Sequence, residues 1–179
     1  MNKVCFLIPT TSNNRDWVNF DETYLNNIFF KNFPKNKNYK IFMGYNFDDK
    51  LYNKKENRPD NIKGANIEWI SFNDDYKGNP CAIWTELCKC AISEGYEYFM
   101  ILGDDILLPE QEYWVELFIN QLKENNNIGY SAGYSNNNNI PTQFLVHKKH
   151  MDIFGWIFPP QIKNWYCDDF IYELYGEKY

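Results

Sequence analysis

Arginine is nearly missing from this 179-residue chain. Arg15 and Arg58 stand beside sixteen lysines, and histidine is as scarce, at His147 and His150. With 18 basic against 24 acidic residues the net charge is −6, which argues against a surface made to neutralise nucleic-acid phosphates, so no nucleic-acid partner is expected. Long apolar runs are also absent. The longest, over residues 4–9 and 98–102, fall far short of the ~20 residues that cross a bilayer, so no integral membrane segment is expected. Only five apolar residues separate Lys3 from Pro9-Thr10-Thr11-Ser12, which reads as a strand and a loop rather than a secretory signal. The five cysteines, Cys5, Cys81, Cys88, Cys90 and Cys167, are odd in number and form no paired CxxC set. Neither a disulfide framework nor a zinc site is indicated, and a reduced, cytoplasmic location is expected.

What the chain does have is rings. Aromatic residues make up 19% and hydrophobic residues 44%, which excludes disorder as a description of the whole and leads us to expect one domain over 1–179. The twenty-five asparagines fit the codon bias of an AT-rich genome, and Asn136-Asn137-Asn138-Asn139 reads as a loop. Residues 3–9 form a short continuous apolar run, as for a strand buried on both faces. Asp21 is expected to cap a helix carrying Tyr24, Leu25, Ile28 and Phe29, stopped by Pro34. Strands are expected over 39–45 and 67–72, with a polar loop over 46–64 between them. Asn79-Pro80 is a helix start, with Ile83, Leu87, Cys90 and Ala91 on one face and Gly95 at the end. The strongest strand, 96–102, is followed by a helix opened by Pro109 and carrying Trp114, Leu117, Phe118 and Leu122, then by strands over 128–134 and 143–146. This alternation predicts a mostly parallel α/β sheet, whose ligands gather at the carboxyl ends of the strands.

The chemistry concentrates where the strongest strand runs into Gly103-Asp104-Asp105. Two adjacent carboxylates there are costly unless something offsets their charge, and a divalent cation between them and an anionic ligand would do so, since Mg²⁺ and Mn²⁺ prefer carboxylate and phosphate oxygens. The plainer reading is a solvated turn in which Asp104 caps the next helix. Near the C-terminus, Gly155-Trp156-Ile157-Phe158-Pro159-Pro160 and Trp165-Tyr166 gather rings around two prolines without helical period. Such rings suit stacking on the C–H faces of a sugar, or a packed C-terminal lobe. Trp84 reads as helix packing.

In this order, the strand ending in Pro9-Thr10-Thr11-Ser12-Asn13, the helix over 79–93, the Gly-Asp-Asp strand end and Trp165-Tyr166-Cys167-Asp168-Asp169 resemble the GT-A superfamily of nucleotide-sugar-dependent glycosyltransferases, particularly its family-2-like inverting members. The resemblance covers nearly the whole chain. It implies a GT-A-like, Rossmann-type fold with a mixed, mostly parallel sheet flanked by helices, a nucleotide-sugar-binding half over 1–105 and an acceptor half over 106–179. It also implies transfer of a hexose-class sugar, with inversion, from a nucleotide-diphosphate donor to a glycan hydroxyl, aided by Mn²⁺ or Mg²⁺. Carried over residue by residue, Asp105 matches the last acid of the DxD-like motif and the direct metal ligand, and Asp104 would face the ribose or assist the metal. Gly103 stands where a strict DxD has its first Asp. Pro9, Thr10, Thr11 and Arg15 would line the nucleotide, with hydroxyls and a guanidinium suited to polar edges and phosphate oxygens. Asp48 and Asp49 fall where related folds contact the nucleoside, and equally suit a solvated loop. The Trp-x-x-Glu-Asp pattern puts Asp169 at the catalytic base, with Asp168, Trp165 and Trp156 on the acceptor; as an alternative, Asp168 and Asp169 cap a helix over 170–175. No histidine follows Asp169 to complete the metal sphere, which leaves water, phosphate or a further segment of a larger chain or complex. Two rival readings remain: a nucleotide-sugar or carbohydrate-binding module without turnover, and a nucleotidyltransferase using Gly-Asp-Asp as in the metal-binding hairpin of viral polymerase palms.

Overall fold

The computed structural model describes residues 3–34, 39–133 and 140–176. Its centre is a seven-stranded sheet in the order β3-β4-β2-β1-β5-β7-β6. The strands are β1 (Val4–Pro9), β2 (Lys40–Asn46), β3 (Asn61–Ile62), β4 (Ala65–Phe72), β5 (Tyr98–Ile101), β6 (Ser131–Ala132) and β7 (Phe144–His147). β4, β2, β1 and β5 run parallel, while β3, β7 and β6 pair antiparallel at the two edges. The sheet is therefore mostly parallel, as expected. The central strands read as unbroken apolar runs because both faces are covered. On one face Phe6, Ile8, Met43 and Met100 pack with Phe29, Phe30 and Phe33 and with helix α3 (Trp114–Glu124). On the other, Cys5, Leu7, Phe42 and Phe99 pack with helices α2 (Pro80–Ser93), α4 (Lys148–Phe154) and α5 (Cys167–Tyr175). At ~1.5–3 kcal/mol for each large side chain taken out of water, these two ring-rich layers are the main stabilising term.

Cap chemistry explains α2. The Asn79 Oδ1 accepts the Ala82 N–H at 3.1 Å and Pro80 occupies the first turn, where its missing N–H costs nothing. Gly95, at φ +80, turns the chain out of the helix. α2 also lies close on β2, because a Cβ on Gly44 would stand 2.5 Å from the Ile83 Cγ2. The chain leaves β1 toward β2 on one side and returns through α2 to β5 on the other. This reversal opens a crevice at the carboxyl ends of β1 and β5, where open α/β sheets hold ligands.

Several local expectations need correction. The helix assigned to Asp21 is a 3₁₀ turn (Phe20–Glu22), a single α turn α1 (Tyr24–Asn27) and another 3₁₀ turn (Phe29–Asn32). Its capping side chain is Thr23, whose hydroxyl accepts the Asn26 N–H. Pro109 does not open α3, which starts at Trp114, because Leu108 is buried in the core and its carbonyl accepts the Asn32 side-chain amide at 3.1 Å. The loop over 46–64 holds a 3₁₀ turn (Lys55–Asn57) and β3. The strand expected over 128–134 is reduced to β6 within the described residues, and the 136–139 loop lies outside them. Asp168 and Asp169 do not precede α5 as caps; they sit inside its first turn, after Tyr166 in the left-handed region at φ 78.

Candidate active site

Thr10 follows β1, and its amide donates to the Gly44 carbonyl at 2.8 Å, so the β1–β2 ladder carries one residue beyond the strand. This fixes the Thr10 hydroxyl over the crevice, where it donates to the Asp104 Oδ2 at 2.6 Å. On the far side the Gly103 amide donates to the Gln143 Oε1 at 2.8 Å, which holds the Gly-Asp-Asp bend against the strand next to β5. Burial pushes the Asp104 carboxyl up to about 6, against the Thr10 hydrogen bond, and the neighbouring Asp105 charge adds to the rise. Asp105 is exposed. It faces a cavity of about 510 Å³ whose walls include Leu102, Ile106, Trp114 and Phe118, with Gln143 at its edge.

Asp48 and Asp49, alike in sequence, are separated by the fold. Asp49 is wholly buried and accepts from the Ser12 amide at 2.7 Å, the Ser12 hydroxyl at 2.6 Å, the Thr11 hydroxyl at 3.2 Å and the amides of Leu51 and Tyr52 at 3.0 and 2.9 Å. Burial favours its protonated form, but these bonds outweigh that and hold its pKa below the ordinary value. Five donors meet the lone pairs of both oxygens, so Asp49 staples the loop after β1 to the loop after β2. Asp48 instead pairs with Lys77 at the surface, at 2.6 Å. Arg15 lies over the rings of Trp17 and Tyr24, at 5.6 and 4.8 Å from their centroids, and its charge reaches Asp104.

The residues expected on the acceptor side lie on and around α5. Asp168 and Asp169 are half-buried and adjacent, with the Asp169 amide donating to the Asp168 Oδ1 at 3.2 Å. Trp165 is 90% exposed. Trp156 stacks on Phe154 at 5.2 Å and leans on Phe170 at 5.8 Å, so at least one of its faces is already covered. No described contact joins the pair Asp168 and Asp169 directly to Asp104 and Asp105, but α2 reaches a neighbour of each pair. The Trp84 indole N–H donates to the Leu7 and Leu102 carbonyls at 3.1 and 3.3 Å, and one turn earlier Cys81 meets the thiol of Cys167. Trp84 therefore does more than pack.

Neither histidine belongs to this site. His147 pairs with Tyr98 at the opposite end of β5, six residues before Asp104. His150 is buried, its ring nitrogens on the Tyr175 hydroxyl and the Ile157 carbonyl, and burial lowers it to about 4. Among the described residues no group of three or more His, Cys, Asp or Glu side chains is arranged to hold a metal. The residues do fit Mg²⁺ or Mn²⁺ in the manner usual with phosphates, where one or two carboxylates and water complete a sphere shared with the ligand. Asp104 and Asp105 supply that number, and the Asp104 carboxyl stays raised by burial and by the Asp105 charge even with Arg15 acting against them.

Sequence reasoning missed the Ser12–Asp49 staple, the Trp84 bridge, Gln143 and the Cys81–Cys167 pair. Each joins residues at least 18 positions apart, so no local pattern could signal it.

The class of fold is mixed α/β, a mostly parallel seven-stranded sheet flanked by helices, and it is similar to that of a glycosyltransferase structure. The crystal structure of S. aureus TarS 1-349, a glycosyltransferase, is similar over 97% of this chain and 55% of that one, with a TM-score of 0.58 and 11% sequence identity. At that identity the likeness shows the fold, and the chain spans little more than half the length of TarS 1-349. No protein-family model and no curated protein matches this chain. Among the described residues no helix is long and apolar enough to cross a membrane.

Proposed function

We propose that this chain is a metal-dependent, inverting glycosyltransferase that moves a sugar from a nucleotide-diphosphate donor to a glycan hydroxyl, with residues 1–105 serving the donor and 106–179 the acceptor in the cytoplasm. The observation that supports this most is that one helix, α2, reaches the segments that carry both acidic pairs. Residues three apart on a helix are neighbours, ~5–6 Å between Cβ atoms. Trp84 fixes the strand end two residues before Asp104, and Cys81 meets Cys167 one residue before Asp168. A donor end and an acceptor end would thus face one crevice.

Pro9, Thr10, Thr11 and Arg15 line the nucleotide, Thr10 also orienting Asp104. Asp104 and Asp105 would hold Mn²⁺ or Mg²⁺, which would offset the charge of the diphosphate leaving group. Trp165 stacks on the acceptor, Asp168 takes one of its hydroxyls and Trp156 supports the same side. Asp169 accepts the proton of the attacking hydroxyl as the new bond forms opposite the leaving diphosphate, which inverts the anomeric centre. The nucleotidyltransferase alternative loses ground, because Gly-Asp-Asp does not turn a hairpin: β5 leads on to α3, and its antiparallel neighbour is β7, entered some forty residues later.

The test combines kinetics and calorimetry with Mn²⁺ and a panel of nucleotide-diphosphate sugars. Asp169→Asn should lose about 10²- to 10⁴-fold in turnover with donor affinity kept, and Asp105→Asn should lose the metal-dependent part of donor affinity. A product with retained anomeric configuration, or near-normal turnover in Asp169→Asn, overturns the mechanism. Donor binding without consumption makes the chain a binding module.

A further inference from the structure

We propose that Cys81 and Cys167 form a thiol oxidation site that closes, with a peroxide as oxidant, to a disulfide joining α2 to α5. The inference stands whichever reaction the acidic pairs serve. Cys81 lies in the first turn of α2 and Cys167 is the first residue of α5; Cys81 belongs to the core cluster on this face of the sheet and Cys167 packs against it, where each thiol shifts the titration of the other. The segment before α5 is already clasped around this spot: the Cys81 amide donates to the Lys163 carbonyl at 3.3 Å, and the Cys81 Sγ lies 4.0 Å from the Asn164 carbonyl. Both contacts hold the chain leading into Cys167 against Cys81.

The pair is asymmetric in the way a reactive and a resolving thiol require. Cys81 is almost wholly buried and Cys167 half-buried. The bond from Cys81 holds the Cys167 thiol below its ordinary value, against burial and the Asp168 charge, and its place at a helix N-terminus favours the thiolate as well. The other cysteines lack this setting. Cys5 and Cys88 are wholly buried, and burial pushes the half-buried Cys90 up, helped by the charges of Glu68, Glu86 and Glu94.

The chemistry balances with one peroxide. The Cys167 thiolate attacks a peroxide oxygen, the O–O bond breaks, hydroxide leaves and Cys167 becomes a sulfenic acid. The Cys81 sulfur then attacks the Cys167 sulfur, the S–O bond breaks and water departs with the Cys81 proton. Two thiols give up two electrons and two protons, and the peroxide becomes two waters. The product would tie the turn bearing Asp168 and Asp169 to the helix that reaches Leu102.

The experiment treats the whole folded chain with dilute hydrogen peroxide, quenches by alkylation and maps tryptic peptides. The expected product joins peptide 78–89 to peptide 164–178 through Cys81, with fragment ions separating it from Cys88, and dithiothreitol reverses it. Cys88→Ser keeps the product, whereas Cys81→Ser and Cys167→Ser lose it. Before oxidation, Cys167 should alkylate about tenfold faster than Cys90 at neutral pH. Wild-type mapping carries the test by itself if the buried Cys81→Ser variant fails to fold. A link through Cys88 or Cys90, a link between chains, or Cys167 advancing to sulfinic acid with Cys81 free would overturn the proposal.

Discussion

Replacing Asp104 with Asn keeps the shape of the side chain and an oxygen for the Thr10 hydroxyl, but removes a charge that the folded chain holds at a cost. The carboxyl is raised from an ordinary 3.8 to about 6, so the folded state binds this proton more tightly than the unfolded state does. The stability linked to that proton is fully present below 3.8, declines as pH rises, and is gone above about 6. At 1.36 kcal/mol for each tenfold in proton affinity, the loss is about 3 kcal/mol. In a chain of this length that corresponds to roughly 6–12 °C in Tm. Thermal unfolding of both proteins from pH 4 to 8 reads the effect, and the difference between them removes every carboxylate they share. The Asn variant should match the wild type near pH 4 and exceed it by several degrees at pH 8. Added Mn²⁺ should narrow the gap at pH 8 by stabilising the wild type alone. A variant less stable than wild type at pH 8, or a difference that does not change with pH, would refute the reasoning.

Asp49→Asn should cost about 2–4 kcal/mol in urea unfolding, because an amide nitrogen would replace an acceptor among five donors; since the Asp49 pKa lies below 3.8 in the folded state, the wild-type advantage is present above that pH and fades as pH falls through the folded value, and a variant of equal stability at pH 7 would show that the staple is dispensable. Trp165→Ala should leave stability within about 0.5 kcal/mol, because the ring is 90% exposed, while raising KM for the acceptor more than for the donor; a large drop in Tm would make the ring a packing residue.

The parts of the fold written in local chemistry were legible in the sequence. Strands β1 and β5 show as apolar runs, and α2 shows through Asn79-Pro80, whose cap and first turn need only each other. Where a distant partner decides, local signals mislead. Pro109 is a good helix opener in isolation, yet burying Leu108 and binding its carbonyl to Asn32 keeps the chain out of a helix until Trp114. The candidate site divides the same way. Asp104 and Asp105 could be singled out because a strand runs straight into them, whereas the difference between Asp48 and Asp49 exists only once Ser12 folds over one of them.

Trp84 has a mechanical consequence. The Leu7 carbonyl receives both the Leu102 amide, at 3.2 Å, and the Trp84 indole, at 3.1 Å, so the ladder between β1 and β5 ends under a bolt driven in from a helix. Beyond it, the bend carrying Asp104 is spared the register between β1 and β5 and can be reshaped for another cargo without unpicking those strands, while Thr10 stays tied to β2 through the Gly44 carbonyl. The same bolt transmits force: a ligand that tilts the first turns of α2 pulls on both strand ends at once, and a load on either strand end is felt along the helix.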